Sequence, residues 1–248
     1  MRTFGLIGKS LTHSFSKDFF SKLFEKENID AEYINFELKD IAEIKGLFAE
    51  QKNLSGLSVT VPYKVAVIPF LDELSREAKA IGAVNTIVIQ DNKTIGHNTD
   101  AFGFQQSIKP FLTLQHERVL ILGTGGASKA VAYVLKKIGL DVLYASRNPK
   151  SENEFHYDEI NIHMVKACKL IVNCTPVGTF PNVDECPQFP FEFLTEEDLV
   201  VDLIYNPEKT VFLQKAQENG ATILNGQAML EQQALKAWEL WNGRESQF

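Results

Sequence analysis

Lys64 and Asp100 are the two residues of this chain best placed to move a proton. Lys64 comes just past the strand Leu57–Val61 and its terminator Pro62. Ligands of open α/β sheets sit at the carboxyl ends of strands, so the amine stands where chemistry is done. Asp100 closes the polar run His97-Asn98-Thr99-Asp100 and either caps the helix that follows or faces a ligand. Brought together, the two form a proton-handling pair. The carboxylate orients the amine and keeps it charged, and the amine gives or takes a proton at a substrate oxygen. Hydroxyls and amides surround them in sequence. Ser14 and Ser16, two apart in the loop after the first strand, present both hydroxyls inward if that loop is extended, which suits a hydroxylated or carboxylated ligand. Ser16 equally reads as the N-cap of the helix carrying Phe20, Leu23 and Phe24. Thr60 shares the polar edge of an alternating strand with Ser58. Gln233 interrupts the apolar stripe Leu230, Ala234, Ala237, Trp238 and Trp241 of the last helix, so its amide either satisfies a neighbouring backbone or faces a polar ligand.

A second chemistry is written in RVLILGTGGASKAVAYVLKKI, Arg118 to Ile138. Val119 to Leu122 read as a strand buried on both faces. Gly123, Gly125 and Gly126 then permit a sharp turn and close approach, with Ser128 at the third small position of the dinucleotide fingerprint. The following helix buries Ala130, Val131, Val134, Leu135 and Ile138 and stops at Gly139. Its free N-terminal amides face the turn and favour a phosphate. After the next strand, Asp141 to Ala145, an NAD site typically places Asp or Glu. Here Ser146-Arg147-Asn148-Pro149-Lys150 offers two cations and no carboxylate, which favours a 2'-phosphate and hence NADP; as plain loop charges, Arg147 and Lys150 would only be solvated.

The elements that must position these groups alternate as strands and helices, an α/β pattern. Strands are expected at Thr3–Ile7, Ala31–Leu38, Leu57–Val61 and Gly82–Ile89. Asp91-Asn92-Lys93 turns the last of these into a hairpin with Thr94–Gly96. Helices are expected from Ser16, from Asp40 to about Glu50, over Leu71–Lys79 and over Phe102–Ile108. Further on come a helix over Asn161–Cys168, strands Leu170–Asn173 and Leu199–Ile204, a helix over Thr210–Asn219, strand Ala221–Leu224 and helix Gln227–Trp241. Cys174-Thr175-Pro176-Val177-Gly178 should overhang the nucleotide, and Ser151–Ile160 carries no clear period.

At 248 residues, 44% hydrophobic and 23% charged, the chain suits one large or two modest globular domains. A net charge of −7 argues against a nucleic-acid or membrane surface, so an anionic ligand must be held by local cations. Cys168, Cys174 and Cys186 form no CxxC pair, which points to a reducing compartment; with no leader and no long apolar run, a cytoplasmic location is expected. No metal is expected, because the five histidines are scattered.

Seven marks in order resemble the shikimate dehydrogenase family: Ser14-Phe15-Ser16, Val59-Thr60-Val61-Pro62-Tyr63-Lys64, Gly82-Ala83-Val84-Asn85-Thr86, Asn98-Thr99-Asp100, Gly123-Thr124-Gly125-Gly126-Ala127-Ser128, Tyr205-Asn206-Pro207 and Met229-Leu230 with Gln233. The resemblance implies a two-domain α/β protein. Residues 1–100, completed by the returning helix 226–248, would be the substrate domain, and 101–225 a Rossmann domain for NADP. It implies reversible reduction of 3-dehydroshikimate to shikimate by NADPH, on the way to chorismate and the aromatic amino acids, by a monomer or homodimer. Ser14, Ser16, Thr60, Asn85, Asp100, Tyr205 and Gln233 would bind the substrate, Lys64 and Asp100 would be catalytic, and Gly226 would lie near the nicotinamide. The cofactor would be held by Gly123, Thr124, Gly125, Gly126, Ala127, Ser128, Arg147, Lys150 and Thr175. The family commonly carries Asn-Arg-Thr and a further arginine after the second Rossmann strand, where this chain has Ser146-Arg147-Asn148, Lys150 and Ser151. Lysine is not an equivalent fork for phosphate, so a weaker preference for NADP is implied. The alternatives are a quinate/shikimate dehydrogenase that also uses NAD, and an NADP-binding sensor without turnover.

Overall fold

The structure is a computed structural model that describes residues 1–11 and 15–243. Two compact units divide the chain, one formed by Met1–Thr99 with the segment from Ala234, the other by Asp100–Gln233. The division near the carboxyl end falls inside the last helix, later than the expected Gly226.

The first unit contains β1 (Arg2–Gly8), α1 (Phe15–Lys26), β2 (Ala31–Glu37), α2 (Ile44–Glu50), β3 (Leu54–Val59), α3 (Tyr63–Ala66), β4 (Glu73–Leu74), α4 (Arg76–Ile81), β5 (Thr86–Gln90) and β6 (Lys93–His97). Its sheet runs β2-β1-β3-β5-β6-β4, with β1 parallel to both neighbours and β5 antiparallel to β3 and β6. The β5–β6 hairpin turns on Asp91 and Asn92, whose φ of 52° and 60° both lie in the left-handed region that short Asx side chains tolerate. An aromatic cluster of Phe4, Phe20, Phe24, Tyr33 and Trp241 fills one side of this sheet. Trp241 is seated on Gly56, where an added Cβ would lie 2.3 Å from its ring, and its Nε1 donates to the Ile87 carbonyl at 3.0 Å.

The second unit contains α5 (Thr99–Ile108) from its second residue, β7 (Arg118–Leu122), α6 (Gly126–Lys137), β8 (Asp141–Ser146), β9 (Glu154–His156), α7 (Ile162–Ala167), β10 (Leu170–Asn173), β11 (Leu199–Asp202), α8 (Val211–Glu218), β12 (Thr222–Leu224) and the part of α9 (Gln227–Trp241) up to Gln233. Its sheet is parallel throughout in the order β12-β11-β10-β7-β8-β9. Counted from β7 this is the doubly wound dinucleotide-binding order. Continuous Val, Ile and Leu runs in β7, β10 and β11 are buried on both faces, as a sheet covered by helices requires.

Several boundaries differ from expectation for local reasons. The strand expected from Gly82 begins only at Thr86, because Gly82 ends α4 with φ 70° and the Asn85 side chain is engaged elsewhere. The helix expected over Leu71–Lys79 is α4, started by the Ser75 hydroxyl that accepts from Ala78 N at 3.1 Å. Ser16 is not an N-cap, since α1 already begins at Phe15. Likewise Asp100 is the second residue of α5 and not its cap. The segment without a clear period holds the three-residue β9 and a single 3-10 turn, too short for periodicity to register.

Candidate active site

In the first unit, polar groups gather at the carboxyl ends of β1 and β3. Gly8 closes β1, and a Cβ there would lie 2.7 Å from the Thr60 methyl and 2.6 Å from Leu11, so only glycine lets Thr60 come in. Thr60 is half-buried and its N–H donates to the Ile7 carbonyl at 3.0 Å. The short α3 is fastened on two sides. The buried Tyr63 hydroxyl donates to the Leu38 carbonyl, and the Lys64 carbonyl accepts from Val84 N at 2.7 Å. Lys64 itself is half-buried.

Of the expected substrate residues, Ser14 lies outside the described residues. Ser16 is described, and its hydroxyl hydrogen-bonds Tyr33. The Tyr33 hydroxyl donates onward to Ser58 Oγ at 2.9 Å, and its ring stacks on Phe20 at 4.8 Å. Burial pushes the Tyr33 phenol well above its ordinary range against the pull of Ser58 and Ser16, so it stays a neutral hydroxyl. Neither Tyr33 nor Ser58 stands among the expected site residues. The one available signal is the hydroxyl edge that Ser58 shares with Thr60.

Asn85 is buried, and its amide is built into the start of α5. Its Oδ1 accepts from Thr99 N at 2.7 Å and its Nδ2 donates to Thr99 Oγ1 at 3.0 Å, with Thr86 Oγ1 also donating to Oδ1 at 3.1 Å. Asn85 therefore does from a distance what a cap would do, and so fixes the turn on which Asp100 follows. Asp100 is 1% exposed. One turn along, Gly103 meets α9 so closely that a Cβ would lie 2.5 Å from the Met229 carbonyl and 3.0 Å from Gln233 N. Half-buried Gln233 is thus set against the same helix as Asp100. Tyr205, half-buried, follows the end of β11. Gly226 is buried, with a Cβ there 2.1 Å from the Leu203 carbonyl oxygen.

A cavity of about 660 Å³ opens at the carboxyl ends of β7, β8 and β10. Its floor is the glycine turn. Gly123 has φ 95° and would meet Thr175 at 2.9 Å through a Cβ, while a Cβ on Gly125 would meet nothing within 4 Å. No side chain caps α6 at Gly125; the Ser128 hydroxyl turns back to donate to the Gly125 carbonyl at 2.7 Å. The first amides of α6 are left for an anion. Exposed Thr124 and half-buried Ala127 complete this turn.

One rim is the β8–β9 loop with Ser146, Arg147, Asn148 and Lys150. Glu154 fixes it, accepting from Lys150 N at 2.9 Å and from the Ser151 hydroxyl at 3.1 Å. Tyr157 also lines the cavity; burial raises its phenol, and the Arg147 cation opposes that rise. The remaining wall is Cys174 to Val177 with Cys186 to Gln188. Burial, with Asp202 nearby, pushes the Cys174 thiol far up, so it is no nucleophile. Among the described residues lining this cavity there are two cations and no carboxylate. An uncapped helix start, a glycine floor and those two cations fit a dinucleotide carrying an extra phosphate. Among the described residues there is no group of three metal-binding side chains, and no helix is long and apolar enough to cross a membrane.

Fold and cavity together define a two-unit α/β nucleotide-binding protein, with a Rossmann sheet in the second unit and a mixed sheet in the first. The model of the shikimate dehydrogenase substrate binding domain matches residues 6–87, and that of the D-isomer specific 2-hydroxyacid dehydrogenase NAD binding domain matches 82–179. The shikimate dehydrogenase (NADP(+)) of Desulforamulus reducens is 38% identical over 96% of this chain and 89% of its own. The crystal structure of the Thermus thermophilus shikimate 5-dehydrogenase in complex with NADP(H) and shikimate has a TM-score of 0.86 and 31% identity, covering 98% of this chain and 94% of that one. The Listeria monocytogenes shikimate 5-dehydrogenase in complex with shikimate and NAD has a TM-score of 0.83 and 28% identity, covering 99% and 93%. This chain belongs to the shikimate dehydrogenase family.

Proposed function

We propose that this protein catalyses the reversible reduction of 3-dehydroshikimate to shikimate with NADPH. The observation that carries this reading is the cavity on the glycine turn, whose described lining holds Arg147 and Lys150 without a carboxylate in a chain of net charge −7. A protein so acidic holds a cofactor with an additional phosphate only where cations are concentrated. Gly123, Thr124, Gly125, Gly126, Ala127 and Ser128 would hold the pyrophosphate, Arg147 and Lys150 the 2'-phosphate, and Thr175 and Gly226 the nicotinamide half.

When bound, NADPH supplies the hydride to the substrate carbonyl carbon. The rest of the work falls to the chain's own side chains. Lys64 passes a proton to the carbonyl oxygen as the new C–H bond forms, and takes it back in the reverse direction. Asp100 keeps that amine charged and oriented. Ser14, Ser16, Thr60, Asn85, Tyr205 and Gln233, with Lys64 and Asp100, bind the carboxylate and ring hydroxyls. A polyhydroxylated acid calls for many such partners rather than one apolar pocket. We infer a cytoplasmic location, supported by three cysteines that are free in the structure.

A second reading, use of NAD as well, is favoured by one observation: the loop after β8 carries Lys150 and Ser151 rather than a second arginine fork. Initial rates of 3-dehydroshikimate reduction with NADPH and with NADH separate the two. Faster turnover per cofactor concentration with NADPH is expected, and a clear preference for NADH would overturn the 2'-phosphate assignment.

A further inference from the structure

Asp202 ends β11 and is fully buried, and one of its hydrogen-bond donors, Asn173, in turn holds Thr175 of the nucleotide cavity wall. Its Oδ1 accepts from Asn173 Nδ2 at 3.0 Å and from Ile204 N at 3.1 Å, and its Oδ2 accepts from the Thr210 hydroxyl at 2.6 Å. Asn173 lies directly beside it in the β10–β11 register and is itself 0% exposed. The Oδ1 of Asn173 accepts from both the N–H and the hydroxyl of Thr175, at 3.0 and 2.7 Å. Thr175 is the residue that closes over Gly123. On the other side, the Leu203–Ile204 backbone fixed by Asp202 is the surface on which Gly226 is packed, with Gly226 N donating to the Ile204 carbonyl at 3.0 Å.

The direction of each bond is determined. An amide N–H only donates, so Thr175 forces Asn173 to present its carbonyl there and its NH₂ to Asp202. The Thr210 hydroxyl caps α8 by accepting from Leu213 N at 3.3 Å, which leaves its hydrogen for Asp202. Three donors therefore converge on one acceptor. Burial pushes this carboxyl up to about 6, which still leaves it ionised at neutral pH.

We propose that Asp202 is the positioning residue of the nicotinamide half of the cofactor site. Through Asn173 it holds Thr175 over the glycine turn, and through Ile204 it holds the backbone that receives Gly226. It touches no reacting atom. The inference rests on the cofactor reading above, because only that reading makes Thr175 and Gly226 neighbours of a ligand.

The test measures amide exchange in the ligand-free protein by NMR and NADP⁺ affinity by calorimetry. Asn173→Ala should speed exchange at Thr175 by roughly tenfold or more, leave Ile204 protected and weaken NADP⁺ by roughly tenfold, the scale of one lost hydrogen bond. Asp202→Ala should release both amides and weaken NADP⁺ further. Asp202→Asn keeps an acceptor at Oδ1 and should rescue both protections, with affinity within about threefold of wild type. Should Asp202→Ala fail to fold, Asn173→Ala and Asp202→Asn decide the matter. Wild-type exchange at Thr175 and wild-type affinity in Asn173→Ala would overturn the proposal. So would an Asp202→Asn protein that loses affinity while both amides stay protected, since that assigns the role to charge and not to position. A wild-type chain that gives no binding heat with NADP⁺ would overturn the cofactor reading itself, whereas equal binding by wild type and variants overturns only the role of Asp202.

Discussion

A lysine at a helix start is usually a solvated charge, and what distinguishes Lys64 is its half-buried place on a helix of four residues anchored by Tyr63 and Val84. If its amine passes the proton, Lys64→Ala should lower kcat by about 10²–10⁴-fold with little change in KM, the pattern of a group acting in the transition state. Steady-state kinetics with 3-dehydroshikimate check this, and a near wild-type kcat would move the proton role elsewhere. Tyr33→Phe keeps the ring against Phe20 but deletes the hydroxyl that meets Ser16 and Ser58. It should raise the shikimate KM by about 3–10-fold, the worth of one hydrogen bond, and leave cofactor affinity unchanged. Lys64 and Thr60 are legible in sequence because a strand end announces them. Tyr33 is not, because an aromatic in a strand reads as core and its partner Ser58 stands 25 residues away.

Elements with long periods can be read directly: α6, α9 and the apolar runs of the Rossmann sheet follow from their spacing. What escapes are the places where a side chain overrides local propensity. Asn85 looks like a flaw in a strand and is instead the group that starts α5. The Asn173–Asp202 pair is equally hidden, since its members meet only through the pairing of β10 with β11. At this scale the buried Asp202 makes a pH prediction. Its folded value, about 6, lies above the ordinary 3.8, so the folded state binds the proton more tightly than the unfolded chain. Stability contributed by this group is therefore present below about pH 4 and is lost as pH rises through about 6. Urea unfolding of wild type and Asp202→Asn should show the variant gaining on wild type between those pH values, by on the order of 2–3 kcal/mol. A constant difference would mean that Asp202 is not shifted. Trp241→Ala tests the packing of α9: losing the indole from the aromatic cluster and its bond to Ile87 should cost about 3–5 kcal/mol in the same assay.

For the whole molecule, an acidic chain that accepts a cofactor bearing a pyrophosphate and a further phosphate must rely on a few local cations. Arg147 and Lys150 are exposed, so their contribution is screened by salt. NADP⁺ affinity should therefore fall more steeply with ionic strength than NAD⁺ affinity, and Arg147→Ala should remove most of that difference; parallel slopes would detach these cations from the 2'-phosphate. The central claim is turnover. It is tested most directly by mixing the protein with shikimate and NADP⁺ and following absorbance at the reduced nicotinamide band. The account predicts a steady rise that requires both ligands and nearly vanishes in Lys64→Ala. A flat trace from a wild-type protein that binds NADP⁺ in calorimetry would contradict it and leave a binding protein without catalysis.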